Sequence, residues 1–306
     1  MIYTVTFNPS IDYVMFTTDF KLDGLNRATR THKFAGGKGI NVSRVLRTLD
    51  VTSTALGFIG GFPGAFITST LNEARIHTDF IEVDEDTRMN VKLKTGVETE
   101  INAPGPKVTT AQFNALLDQM RQTTSQDTVI VAGSVPGSIP SDAYAQIARI
   151  LQQTGAHLVV DAEKSLVMSV LQYAPLFIKP NIHELEAMYD TKMTSDDMIV
   201  THAKKILGEG AQAVIVSLGG DGAIYVDASQ QLKAEIPKGH VVNTVGAGDS
   251  TVAGMVAGLH AQQSVADAFK LAVACGTATA FNDDLASREA IKDVESQVRI
   301  IQLDRE

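Results

Sequence analysis

The chain has 306 residues, 44% hydrophobic and 20% charged, with one cysteine and a formal net charge of −9. That balance fits a single globular α/β domain and excludes disorder, and the acidic surplus excludes nucleic acid or an anionic membrane as the main partner. The start MIYTVTFNPSID lacks the basic and apolar regions of a signal peptide, and no apolar run reaches the ~18 residues of a membrane span. With Cys275 alone no intrachain disulfide forms, so the expectation is a cytoplasmic protein with that cysteine as a small buried residue.

In chain order, residues 2–7 read as the first strand. Residues 12–34 carry no helical stripe. A glycine-rich stretch, Ala35-Gly36-Gly37-Lys38-Gly39-Ile40-Asn41, then opens a helix whose Val42, Val45, Leu46 and Leu49 share one face. Residues 54–59 form a second strand; the following GFIGGFPG lacks the G-x-G-x-x-G spacing of a dinucleotide fingerprint. Residues 88–102 alternate polar and apolar, as in Met89-Asn90-Val91-Lys92-Leu93-Lys94. With 12–34 they suit a small antiparallel sheet outside the main one, either a lid over the active site or an edge decoration. Phe113, Leu116, Leu117 and Met120 mark another helix. Strands follow at 128–132, 158–161, 176–178, 213–217 and 223–226, and from Gly248 onward the pattern is essentially helical. Near-continuous Val/Ile/Leu runs alternating with amphipathic helices predict a doubly wound, mostly parallel sheet, with ligands at the carboxyl ends of its strands.

Four segments carry chemistry. Asn243-Thr244-Val245-Gly246-Ala247-Gly248-Asp249 places small residues and a carboxylate at a helix start. Backbone N–H groups crowded there cradle charge on a transferring phosphoryl group, and the carboxylate can accept a proton from a hydroxyl. A glycine turn with an aspartate complementing the helix dipole is the plainer reading. Gly254 and Gly258 signal close packing of that helix. In the Gly36–Asn41 stretch, Lys38 and Asn41 supply donors for sugar or phosphate oxygens. It is not a Walker A loop, because glycine follows Lys38 where Ser or Thr is needed. Lys179-Pro180-Asn181-Ile182-His183-Glu184 reads by itself first as a helix capping box, and second as a place where Asn181 and Glu184 meet Mg²⁺ through water; His183 reads as surface. Ser217-Leu218-Gly219-Gly220-Asp221-Gly222 is a glycine turn that could contact a nucleotide.

In this order and spacing the segments resemble the ribokinase-like PfkB carbohydrate kinases along essentially the whole chain. Both family signatures are present, AGGKGINVS and NTVGAGDSTVAGMV, about 200 residues apart. The resemblance implies one ribokinase-like α/β kinase domain over residues 1–306, with a small β-sheet lid from 12–34 and 88–102. ATP and Mg²⁺ are the implied cofactors. Asp249 becomes the base, and the backbone of Gly246, Ala247 and Gly248 the anion hole. Ser217, Gly219, Gly220, Gly222 and Gly248 line the ATP site, and Asn181 with Glu184 organises Mg²⁺. Asp12, Gly37, Lys38, Asn41 and Asn90 hold the sugar. Arg27 and Arg88 grip a phosphate already on it, through paired donors that couple lid closure to binding.

The start Thr6-Phe7-Asn8-Pro9-Ser10-Ile11-Asp12 is similar to the branch acting on phosphorylated ketohexoses, and Thr99-Glu100-Ile101-Asn102-Ala103-Pro104-Gly105-Pro106 leans toward fructose 1-phosphate as substrate, with tagatose 6-phosphate as the alternative. A non-catalytic sugar-phosphate sensor is the reading from a different class; intact Gly-Ala-Gly-Asp and Asn-x-x-Glu argue against it. Asn243 stands where ribokinase-type members usually carry Asp, which leaves a monovalent-cation role of that loop open. The exposed edge of a lid sheet invites pairing between two subunits.

Overall fold

Strands rich in Val, Ile and Leu on both faces must be covered on both sides, and here they form the middle of one sheet. The computed structural model describes residues 1–303. The chain begins with β1 (Ile2–Thr6), β2 (Ser10–Phe16) and β3 (Arg30–Gly36), then enters α1 (Lys38–Thr48). Next come β4 (Thr54–Ile59), α2 (Gly61–Glu73), the short β5 (His77–Thr78) and β6 (Ile81–Glu82), and the hairpin of β7 (Arg88–Lys94) and β8 (Glu98–Ile101). Alternation resumes with α3 (Thr110–Arg121), β9 (Thr128–Ala132), α4 (Ala143–Thr154), β10 (His157–Asp161) and α5 (Lys164–Val170). It continues through β11 (Phe177–Ile178), α6 (Ile182–Tyr189), α7 (Asp196–Gly208), β12 (Ala213–Ser217), β13 (Ala223–Asp227) and β14 (Gln231–Glu235). The chain closes with α8 (Ala247–His260), α9 (Val265–Ala280), α10 (Arg288–Gln297) and β15 (Arg299–Gln302).

The main sheet has eleven strands in the order β15-β14-β13-β12-β11-β10-β9-β1-β4-β5, with β6 also pairing with β4. From β12 to β5 and β6 all pairs are parallel; β13, β14 and β15 add an antiparallel edge. One face is covered by α3 to α7 around Phe113, Tyr144 and Leu185; the other by α1, α8, α9 and α10 around Val42, Phe269 and Ile291. The predicted stripes face these cores: Val42, Val45 and Leu46 are buried, as are Phe113, Leu116, Leu117 and Met120. A Cβ at Gly254 or Gly258 would fall within 2.7 Å of Ala272 or Ala268, so α8 and α9 cross almost backbone to backbone. Cys275 lies fully buried in α9, where burial pushes its thiol upward in pKa. Among the described residues no helix is long and apolar enough to cross a membrane.

A second sheet of four strands, β3-β2-β7-β8, stands off the carboxyl ends of the main one. Two points differ from the sequence reading. The small sheet is not wholly antiparallel: β2 and β7 run parallel from Ser10↔Arg88 to Phe16↔Lys94. The reason is topological. β2 continues outward from β1 after three residues and β7 from β6 after five, and β1, β4 and β6 are mutually parallel. The C-terminal region is also not purely helical, because β15 pairs with β14. Four residues with no clear alternation give no strand signal until an edge is available to pair with.

Candidate active site

The carboxyl ends of the parallel strands meet the N-termini of α1 and α8 beneath the small sheet, leaving a cleft of ≈ 1170 Å³. Asp161 ends β10, Lys179 follows β11 and Ser217 ends β12, so three neighbouring strands each deliver one polar group to its floor. Gly246 caps α8 with φ 80°, a left-handed conformation that glycine adopts without strain; a Cβ there would also press on Leu285. Ala247, Gly248 and Asp249 then occupy the first helical turn; the Ala247 N–H, expected to face an anion, donates instead to Thr244 O at 3.3 Å, whereas those of Gly248 and Asp249 have no backbone acceptor among the described residues. Asp249 is 6% exposed, and its Oδ2 accepts a 2.8 Å hydrogen bond from Asn41 Nδ2 in α1.

The floor is an electrostatic cluster. Asp161, 1% exposed, receives Lys38 Nζ at 3.2 Å and Lys179 Nζ at 3.5 Å on one oxygen, and its other oxygen is buried without a partner. Burial pushes the Asp161 carboxyl upward, but Lys179 and then Lys38 outweigh it and hold it below its ordinary pKa. Asp249 moves the other way. Burial first, then the like charge of Asp161, raises it to about 6, against the pull of Lys38, Asn41 and Lys179. Burial acts to lower Lys38, yet Asp161 and Asp249 prevail and raise it, so it stays cationic. Lys179 lies against Gly248: a Cβ there would come 3.0 Å from its Nζ. Helix terminus, two lysines and a carboxylate of raised pKa thus converge on one point, an arrangement suited to an anion and a proton acceptor side by side.

The roof comes from the small sheet. Asp12 Oδ1 accepts hydrogen bonds from Asn90 Nδ2 at 3.1 Å and Ser10 Oγ at 2.9 Å. Gly36 leaves the room that the Asp12 carboxylate fills, and Gly37, φ 119°, caps the N-terminus of α1. Arg88, half-buried, donates to Asn8 O from Nε and Nη2 (3.2 and 3.0 Å) and to Ala103 O from Nη1 (3.4 Å). Burial lowers its pKa while Asp12 opposes the shift.

At the far end, the turn Gly219–Asp221 lies between β12 and β13, and Ser217, Gly219, Gly220 and Gly222 all line the cleft. Gly219 and Gly220 border open space, whereas Gly222, φ 88°, packs against the Ala234 carbonyl, so its glycine is also required by the fold. Asn181 and Glu184 do form a capping box: Asn181 Oδ1 accepts from Glu184 N at 2.8 Å, and Glu184 Oε2 accepts from Asn181 N at 2.7 Å. Both also line the cleft, and the other Glu184 oxygen makes no hydrogen bond among the described residues. Among those residues no group of three or more His, Cys, Asp or Glu could cage a metal. One free carboxylate oxygen beside a phosphate site suits Mg²⁺, which keeps most of its waters and leans on phosphate oxygens. His183 is exposed and sits 3.3 Å from Glu186.

Every residue given a catalytic, sugar, ATP or Mg²⁺ role in the sequence reading lines this cleft except Arg27, which is exposed on the loop 17–29 between β2 and β3. The reading missed Asp161, Lys179 and Lys92. An aspartate closing an apolar run and a lysine directly after one are detectable signals in a doubly wound sheet, since strand ends are where ligands bind.

The profile of the pfkB family carbohydrate kinases matches residues 5–287. The chain is 45% identical to 1-phosphofructokinase of Bacillus subtilis over 99% of its length and 100% of that protein's. It is 36% identical to D-tagatose-1-phosphate kinase of Bacillus licheniformis, covering 99% and 100% of the two. A crystal structure from Staphylococcus aureus, assigned provisionally as a phosphofructokinase, superposes with a TM-score of 0.92 at 69% identity over 100% of both chains.

Proposed function

The chain belongs to the pfkB family of carbohydrate kinases, and from that premise we propose that it transfers the γ-phosphoryl group of Mg²⁺–ATP to the 6-hydroxyl of fructose 1-phosphate. The observation that carries the reaction is the position of Asp249, a buried carboxylate in the first turn of α8 beside Lys179 and hydrogen-bonded to the sugar-side Asn41. Similarity to 1-phosphofructokinases supports the acceptor.

Asp249 takes the proton of the 6-hydroxyl as its oxygen bonds to the γ-phosphorus, and the bond from that phosphorus to the β–γ bridging oxygen breaks to release ADP. The N–H group of Gly248, with Lys179 and Lys38, faces the charge on the moving group. Asp12, Asn90 and Asn41 orient the sugar over Gly37. The glycine turn from Ser217 takes the nucleotide phosphates. Glu184, with Asn181 fixing it, would hold Mg²⁺ through water, and the ion when bound would neutralise charge on those phosphates.

With Asp249 at about 6, kcat/KM is expected to fall with slope one as pH drops below about 6, because protonation removes the base. A flat profile between pH 5 and 7.5 would exclude Asp249 as the titrating base. Arg88→Ala is expected to raise the KM for fructose 1-phosphate about tenfold and that for ATP much less; equal effects on both would remove Arg88 from the phosphate site. Arg27 reaches that phosphate only if the loop 17–29 folds inward with lid closure. The outer face of the lid leaves Met89 and Ile101 exposed, and a second copy pairing there gives a homodimer. Sedimentation at micromolar concentration is expected to show it; a single-chain mass would dismiss the pairing.

The test of the acceptor is ADP release with Mg²⁺–ATP across fructose 1-phosphate, tagatose 1-phosphate, tagatose 6-phosphate, fructose 6-phosphate, ribose and adenosine. A kcat/KM about tenfold higher for fructose 1-phosphate is expected. A larger value for either tagatose phosphate would transfer the assignment to that sugar.

A further inference from the structure

We propose that Lys92, held on the roof of the cleft by Glu100, is a specificity-determining residue that receives the phosphate the sugar already carries. The proposal rests on the sugar-phosphate acceptor of the preceding reading and adds a residue to it. Along β7, side chains on one face repeat every two residues, about 6.5–7 Å apart. Arg88, Asn90 and Lys92 therefore stand in line above the cleft, and all three line it. Asn90 is joined to Asp12, so a sugar held by that pair lies one repeat from a cation on either side.

The two cations are not in the same state. Arg88 spends three donor contacts on the carbonyls of Asn8 and Ala103 and thereby ties the lid to the body. Lys92 has one hydrogen bond among the described residues, 3.0 Å from Nζ to Glu100 Oε1, directly opposite in the β7–β8 register. Lys92 is 8% exposed, while the Glu100 side chain is 40% exposed. A cross-strand ion pair meant only to brace a sheet lies at the surface, where it contributes little and costs little. Lysine is rarely buried unless its charge is answered, and an ammonium has three donors, of which Glu100 takes one. The remaining two have no acceptor among the described residues, and Lys92 lines the cleft.

Glu100 acts as the resting counter-ion. The hydrogen bond from Lys92 is the first cause holding its carboxyl below the ordinary pKa, so it remains an anion throughout the working range. Asn102 Nδ2, 3.4 Å from the second Glu100 oxygen, keeps it turned along the strand edge. A phosphate dianion entering beside Asn90 brings oxygens for the two donors that Glu100 leaves unanswered, and competes with Glu100 for the ammonium. An unphosphorylated sugar brings no such competitor, and the pair stays closed. Selectivity for a phosphorylated acceptor then follows from the arrangement.

The test compares Lys92→Met with Glu100→Gln in the full-length protein. Lys92→Met is expected to raise the KM for fructose 1-phosphate about tenfold or more, with the loss on KM rather than kcat, and to weaken stabilisation by inorganic phosphate in thermal melts with ADP present. Glu100→Gln is expected to lower that KM, since it removes the competitor for Lys92. Equal rises in KM for the two variants would reduce the pair to a brace and overturn the proposal, as would an unchanged KM in Lys92→Met. If the wild type turns over no sugar phosphate, the acceptor reading fails by itself. The phosphate melts then decide: an equal shift in wild type and Lys92→Met overturns the Lys92 site, and a shift lost in the variant sustains it.

Discussion

Asp249→Asn is expected to lower kcat by about 10³-fold or more while the KM for ATP changes only a few-fold. The substitution keeps the shape and an oxygen to accept the 2.8 Å hydrogen bond from Asn41, so the sugar-side geometry survives and only the proton acceptor is lost. The same variant is expected to melt a few degrees higher at pH 8. The sign follows from linkage. The folded carboxyl is raised from 3.8 to about 6, so its contribution to stability is whole below the unfolded value and is lost as pH climbs toward 6 and beyond. At pH 8 the wild type carries a buried charge next to Asp161, and a neutral amide relieves it. Lower activity with higher stability, read by steady-state kinetics and calorimetry, separates a missing base from a damaged fold. Near-normal turnover would refute the assignment.

Gly248→Ala should likewise be stable but slow, with kcat/KM reduced about 10²-fold. Gly248 sits within the helix, where alanine is favoured over glycine by about 1 kcal/mol. Its new Cβ, however, would lie 3.0 Å from Lys179 Nζ and 3.4 Å from Cε, so the lysine must withdraw and the methyl enters the space proposed for the phosphoryl group. Gly246→Ala is the contrast: with φ 80° and Leu285 in the way, it loses stability as well as rate. If Gly248→Ala kept full activity, the anion hole would have to be sought elsewhere.

The main sheet was legible because its strands are apolar on both faces; residues 54–59, 128–132 and 213–217 were read with the bounds the structure gives them. Helix stripes in α1 and α3 were equally plain. In the site, residues clustered in glycine-rich segments were legible, since such segments advertise close backbone approach. Asp161 and Lys179 were not, because each is a single polar residue at the end of an apolar strand. Their meaning comes from β10 and β11 being neighbours, with Asp161 reached by Lys38 from 123 residues away. Lys92 was hidden for a similar reason: in an alternating segment it looks like any solvent-facing charge until the cleft is seen beneath it. Arg27 shows the converse, a residue named by resemblance whose loop carries no local signal for where it points.

The small sheet is mounted on two stems, residues 7–9 and 83–87, that leave β1 and β6, parallel strands with β4 between them, and that are clipped together by Arg88 on Asn8 O. Strand faces alternate residue by residue, so one residue added to or removed from either stem would turn the row of Arg88, Asn90 and Lys92 outward and bring Met89, Val91 and Leu93 over the sugar. Stem length is therefore fixed to the residue, whereas the loop 17–29 and the turn 95–97 are free to grow or shrink. Length variation among functional versions of this enzyme should collect at those two tips and spare the stems.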